Sequence, residues 1–123
     1  MATEGNQILE TFIAGADLTD KKYTFIVQSA TAERTVVTPA AGARADGVLL
    51  NGPKEGAAAA VAGYGRVKVV CGGPIPLGAE VATNAQGRAV VAATPAIRLG
   101  KATEAGVANQ LITIDFYKGG NAA

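Results

Sequence analysis

Gly, Pro, Asn and Asp recur along the whole chain and leave only short apolar runs between them, a spacing that suits strands and gives helices few places to form. The segment from Lys22 to Gln28 alternates, with Tyr23, Phe25 and Val27 on one face and Thr24, Ile26 and Gln28 on the other. Further runs rich in β-branched or apolar residues are Ile8–Ile13, Arg34–Thr38, Val48–Asn51, Ala58–Ala62, Arg66–Cys71, Glu80–Thr83, Ala89–Ala93, Ile97–Thr103 and Leu111–Tyr117. The run of four alanines from Ala57 favours helix by propensity, but Gly56 and Gly63 confine it to about two turns, too short to stand alone. Val61 followed by Tyr64, Val67 and Val69 continues as a strand leading into a hairpin, so the run is read as an Ala-rich strand. A short, minor helix at Leu18–Lys22, with Asp17 to cap a turn, is the remaining helical alternative.

Turn chemistry agrees with this reading. Gly72–Gly78 carries Pro74 and Pro76, neither of which can donate to a central strand, so it is expected to form an exposed turn or arm. Asn84-Ala85-Gln86-Gly87 has the length and the glycine of a hairpin loop, and Glu104–Gln110 joins two strong strands. The 123 residues fit a single domain. Of these, 26 are Ala and 16 are Gly, so large core side chains are scarce and burial against partner subunits would help the fold. The expected fold class is therefore all-β: a compact small β-barrel or β-sandwich of short antiparallel strands, with flexible termini at 1–6 and 119–123.

The same composition removes much chemistry. There is no His, the side chain best placed to transfer protons near neutral pH and the commonest metal ligand. A lone Cys71 has no second thiol and no base partner, and Lys68, three residues away in a strand, falls on the opposite face; Cys71 is read as a buried strand-end residue. Gly100-Lys101 lacks the earlier glycine and the following hydroxyl of a phosphate loop, and Gly63-Tyr64-Gly65 lacks the third glycine of a dinucleotide fingerprint, so both are read as ordinary turn glycines. The carboxylates are scattered, without calcium-loop spacing. No catalytic residue, cofactor or metal site is expected, and the chain is read as a non-enzyme.

Eleven basic against ten acidic residues, with neither sign in blocks, argue against a nucleic-acid partner. Tyr23, Tyr64 and Tyr117 are accordingly read as core or subunit-interface residues rather than a base-stacking surface. No stretch is long and apolar enough for a membrane span, and the first seven residues lack the pattern of a secretion signal, so a soluble product made in a cytoplasm is expected.

An ordered series of segments is similar to one family. Asp17-Leu18-Thr19-Asp20-Lys21-Lys22-Tyr23, then Ala45-Asp46-Gly47-Val48-Leu49-Leu50-Asn51-Gly52-Pro53, then Gly65 through Val81 resemble the capsid cement, or head decoration, proteins of tailed bacteriophages. The stretches from Thr83 to Ala89 and from Arg98 to Ile114 resemble that family's last two hairpins, so the likeness covers Asp17 to about Tyr117. Cys71 and Tyr64 depart from it, standing where small or aliphatic residues are expected.

The resemblance implies a β-barrel or β-sandwich that assembles as a homotrimer on the virion capsid surface. There it would brace neighbouring subunits of the major capsid protein, its principal partner, after synthesis in the host cytoplasm. On that reading residues 14–118 form the β core, 119–123 a tail, and 1–13 a possible capsid-contacting arm anchored by Ile8, Leu9, Phe12 and Ile13. The arm has two readings: a first strand of the barrel, or a segment that orders only against the shell. Pro74, Ile75 and Pro76 are the second contact candidates. The alternative from another class is a β-barrel carrier or hammerhead-like module of the biotinyl or lipoyl type. It is suggested by Val67-Lys68-Val69-Val70 and Gly78–Val81, but would need Lys68 at a hairpin tip.

Overall fold

The computed structural model describes residues 5–93 and 96–117, with the backbone alone for residues 5–9. The described residues contain nine strands and no helix. Five of them, β1 (Gly5–Ala14), β3 (Thr35–Val37), β2 (Phe25–Gln28), β4 (Gly47–Leu49) and β5 (Ala58–Val70), follow one another in hydrogen-bonded order, and pairing of β1 with β5 closes the ring. Closure removes the open edges that would leave so small a sheet prone to association. β1 and β3 run parallel, the one exception among the strand pairings to the antiparallel arrangement expected from the sequence.

The second half of β5 leaves the ring and pairs with β9 (Leu111–Phe116). The sheet then continues through β8 (Gly100–Ala102) and β6 (Glu80–Thr83) to β7 (Ala89–Val91). A bridge between Cys71 and Ala89 brings β7 back to the end of β5, so this half is nearly closed as well.

Two apolar clusters explain how a chain rich in Ala and Gly holds this shape. The smaller one fills the barrel with Phe12, Ile26, Val36, Leu49, Ala59 and Val61, among others. The larger one packs Phe25, Val48 and Ala62, from the opposite faces of the same strands, against Val67, Val69, Leu99, Ile112, Ile114 and Phe116. Strands β2, β4 and β5 are thus buried on both faces where the two halves meet, and every residue of β4 is buried. The rings of Phe25 and Phe116, 6.1 Å between centroids, pack across this middle layer.

Several local expectations are corrected. Ala58–Ala62 and Arg66–Cys71, named as separate runs, lie along one 13-residue strand, β5, which ends at Val70, in line with the expected continuation from Val61 through Tyr64, Val67 and Val69. The glycines between them are therefore strand residues, not turn residues. The register passes from Ile8 opposite Tyr64 to Leu9 opposite Ala62, skipping Gly63, and Gly65 takes a φ of 107°, a conformation open to Gly and strained for other residues. Gly100 is likewise inside β8. The strand expected from Lys22 begins at Phe25, since Tyr23 has a positive φ of 63°. No helix forms at Leu18–Lys22, only one hydrogen-bonded turn in which the Lys21 N–H donates to the Leu18 carbonyl at 3.0 Å, and Asp17 Oδ1 accepts from the Thr19 N–H at 3.2 Å. The hairpin loop at Asn84–Gly87 stands as expected, with Asn84 Oδ1 accepting from the N–H groups of Gln86 and Arg88. The suggested tail at 119–123 and the first four residues of the suggested arm lie outside the described residues.

Candidate functional site

From Gly5 on, the segment considered as an arm is β1, a wall of the barrel. Ile8, Leu9, Phe12 and Ile13 stand opposite Tyr64, Ala62, Ala59 and Ala58 of β5. Phe12 is a core residue, 5% exposed, with the Arg34 guanidinium 5.3 Å from its ring centre. Arg34 also donates to the Thr11 carbonyl at 2.6 Å. Ile13 alone of the four is shown to reach solvent, at 47% exposure; the side chains of Ile8 and Leu9 lie outside the described residues. Folded, Phe12 cannot serve as an anchor for a partner, because its apolar surface is already buried in the barrel.

The second candidate loop is anchored rather than free. Ile75 exchanges two backbone hydrogen bonds with Gly106, both 2.9 Å, and its side chain is buried in the larger core. Gly78 N–H donates to the Ala102 carbonyl, tying down the far side of the loop. Ile75 is therefore the loop's root. Pro74 and Pro76 point outward on either side of it, and Leu77 projects with 70% exposure. The antiparallel bridge at Ile75 and Gly106 sets Val107, 61% exposed, across from Pro74. Leu77 and Val107 were not singled out by the sequence; the available signal was a large apolar residue between Pro76 and Gly78, where a turn offers it nothing to pack on.

Ile13 and this loop cannot form one patch. Ile13 pairs with Ala58 at the start of β5, whereas the loop follows Val70 at its end, and twelve strand steps span roughly 40 Å. What occupies the outer sheet between them is charge. Arg66, Asp115, Lys101 and Glu80 stand in register across β5, β9, β8 and β6, alternating in sign. Arg66 approaches Asp115 at 3.4 Å, and Glu80 accepts from Arg98 at 3.1 Å and from the Tyr117 hydroxyl at 2.9 Å. Burial and the hydrogen bond to Glu80 push the Tyr117 phenol above its ordinary pKa. The tyrosines do not join the core: Tyr64 is 54% exposed, Tyr117 is 36% exposed, and the Tyr23 ring has the ammonium groups of Lys22 and Lys68 over it at 5.0 and 5.8 Å from its centre.

The remaining reactive groups are placed as structural ones. Cys71 is fully buried, and burial together with the Glu104 charge raises its pKa, which holds the thiol protonated and poorly nucleophilic. Lys68 lies within β5 and not at a hairpin tip, the position a carrier lysine needs. A shallow groove of about 390 Å³ beside β6 and β7 is lined mainly by Ala and Val side chains. Among the described residues no three His, Cys, Asp or Glu side chains gather into a cation site.

No protein-family model matches the chain. No curated protein matches it either. Among solved structures it is similar to the N base of head fiber gp8.5 in bacteriophage phi29, with a TM-score of 0.76 and 21% identity. The match covers 96% of this chain and 100% of that one, so the likeness in fold extends over both the barrel and the outer sheet.

Proposed function

We propose that the chain is a structural protein of a bacteriophage head, a cement or decoration subunit that binds the outer surface of the assembled capsid and braces neighbouring major capsid subunits. The observation that carries this reading is the end-to-end likeness in fold to a phage head fiber base. The ordered sequence resemblance to phage cement proteins points to the same class of particle. The proposed work is binding, with no reaction, cofactor, nucleic acid or membrane required. A ligand that recognises only the assembled shell stabilises it by RT ln(1 + [L]/Kd). Repeated over many sites, contacts of ~1 μM, about 8 kcal/mol each, suffice. Self-association as a homotrimer belongs to the same proposal, since a core built largely from Ala and Val gains from covered subunit surface.

The deciding experiment is co-sedimentation of the purified protein with mature heads lacking their own decoration, alongside light scattering of the protein alone. Saturable retention at a fixed copy number per major capsid subunit, with heads that resist heat better when decorated, is the expected result. Absence of retention on heads of the source phage would overturn the reading, and a strict monomer in scattering would remove the trimer from it.

A further inference from the structure

Asn51 and Gly52, the one Asn-Gly pair in the sequence, follow β4 on an accessible loop. The structure demands both residues for separate reasons. β4 is only three residues long, and its pairing with β5 is extended beyond Leu49 by the Leu50 N–H, which donates to the Ala60 carbonyl at 2.8 Å. Beyond that the Asn51 side chain takes over the role of a strand. Its Oδ1 accepts from the Ala60 N–H and its Nδ2 donates to the Ala58 carbonyl, both at 3.1 Å. One primary amide thus supplies the acceptor and the donor that a neighbouring peptide would, sealing the β4–β5 seam of the barrel. At position 52 a β-carbon would lie 2.6 Å from the Thr19 carbonyl oxygen, so a larger residue would displace the backbone that passes there.

Those two demands create the dipeptide most open to intramolecular attack, since glycine leaves the backbone nitrogen unhindered. We infer that Asn51-Gly52 is a deamidation site that the fold holds shut, and whose modification breaks the barrel seam. In the reaction the Gly52 nitrogen bonds to Asn51 Cγ, the Cγ–Nδ2 bond breaks, and the Gly52 proton leaves with the side-chain nitrogen as ammonia. Water then opens the cyclic imide at either carbonyl, giving Asp or isoaspartate. Reaching the attacking geometry requires the side chain to rotate away from β5 and give up both hydrogen bonds, so the native chain reacts only through a local opening. The Asp product restores only half of the seam, since its carboxylate can still accept from the Ala60 N–H. A carboxylate has no proton to offer the Ala58 carbonyl, and isoaspartate also lengthens the backbone by one carbon.

The test follows the full-length protein at mildly alkaline pH, native and in urea, by the mass gain of about one dalton and by peptide mapping for isoaspartate at residue 51. The unfolded chain should modify at Asn51, and the native chain at least ~10-fold more slowly. Equal rates in the two states would overturn the protection, and absence of modification in urea would overturn the site. The seam is tested separately by Asn51→Asp, read by urea unfolding at neutral pH. A lowered midpoint is expected, while an unchanged midpoint would show that the amide does not seal the barrel.

Discussion

Cys71 shows what a single buried side chain contributes when its chemistry is suppressed. It closes the larger core at the end of β5, where its N–H and C=O are both used, the first donating to the Gln110 carbonyl and the second accepting from Asn109. Truncation to Ala removes only the sulfur, so Cys71→Ala should cost about 1–2 kcal/mol in urea unfolding and leave the fold intact. The raised thiol pKa adds a pH signature. The folded state favours the protonated thiol, so its contribution is complete below the unfolded thiol's pKa and is lost as pH rises through the raised folded value. Tyr117 is shifted in the same direction and titrates on the alkaline side too, so the thiol's share is read as a difference. Melting curves from neutral to strongly alkaline pH should converge for wild type and Cys71→Ala; a constant gap would show that the thiol does not titrate in the fold.

At the level of strands, sequence pattern located nearly every element, and it failed where one strand serves two neighbours. Val48, Glu80–Thr83 and Leu111–Phe116 were legible because β-branched residues stand between clear turn signals. The continuation of β5 past Val61 was legible in Tyr64, Val67 and Val69, but the role of Gly63 and Gly65 was not, because a glycine beside an aromatic in a strand bulge carries the same signal as a glycine in a turn. A barrel was one of the two expected forms, with β1 as its first strand one of the two readings of that segment, but which strand closes it was not legible: whether β1 pairs with β5 depends on a contact between residues about fifty apart, and alternation says nothing about partners. The same limit applied to the suggested contact residues. Phe12 and Ile75 look like any apolar side chain in sequence, and only the closed core takes them inside.

Tight strand packing gives the element-level prediction. β8 is gripped between β6 and β9, and a β-carbon at Gly100 would collide with the Asp115 carbonyl oxygen of the neighbouring strand. Gly100→Ala should therefore destabilise by about 2–3 kcal/mol, since backbone has to move. Gly73 has nothing within 4 Å of the same atom, so Gly73→Ala should stay within ~0.5 kcal/mol. Thermal unfolding of the pair separates the two, and equal losses would mean that the outer sheet yields freely at β8.

For the molecule as a whole, the question is which surface can meet a capsid while the fold stays closed. The outer sheet presents charges that already answer one another, from Arg66 to Glu80, so it offers a partner little uncompensated field. The turn beyond β5 differs. Leu77 and Val107 are the two most exposed large apolar side chains among the described residues, they rise beside Pro74 and Pro76, and Ile75 roots the loop in the core so that little order has to be gained on binding. On the proposed capsid role, this turn is the better anchor and β1 the worse one. Leu77→Ser with Val107→Ser should leave the stability within about 1 kcal/mol, each change being a surface one, while weakening retention on heads at least ~10-fold. Phe12→Ala should do the reverse in kind: it empties part of the barrel core, costs about 3–5 kcal/mol, and lowers decoration only as far as it unfolds the protein. Sedimentation and melting measured on the same samples distinguish these cases. A double serine variant that decorates heads like the parent would move the contact away from this turn, with Ile13 and the far end of β5 the next surface to alter.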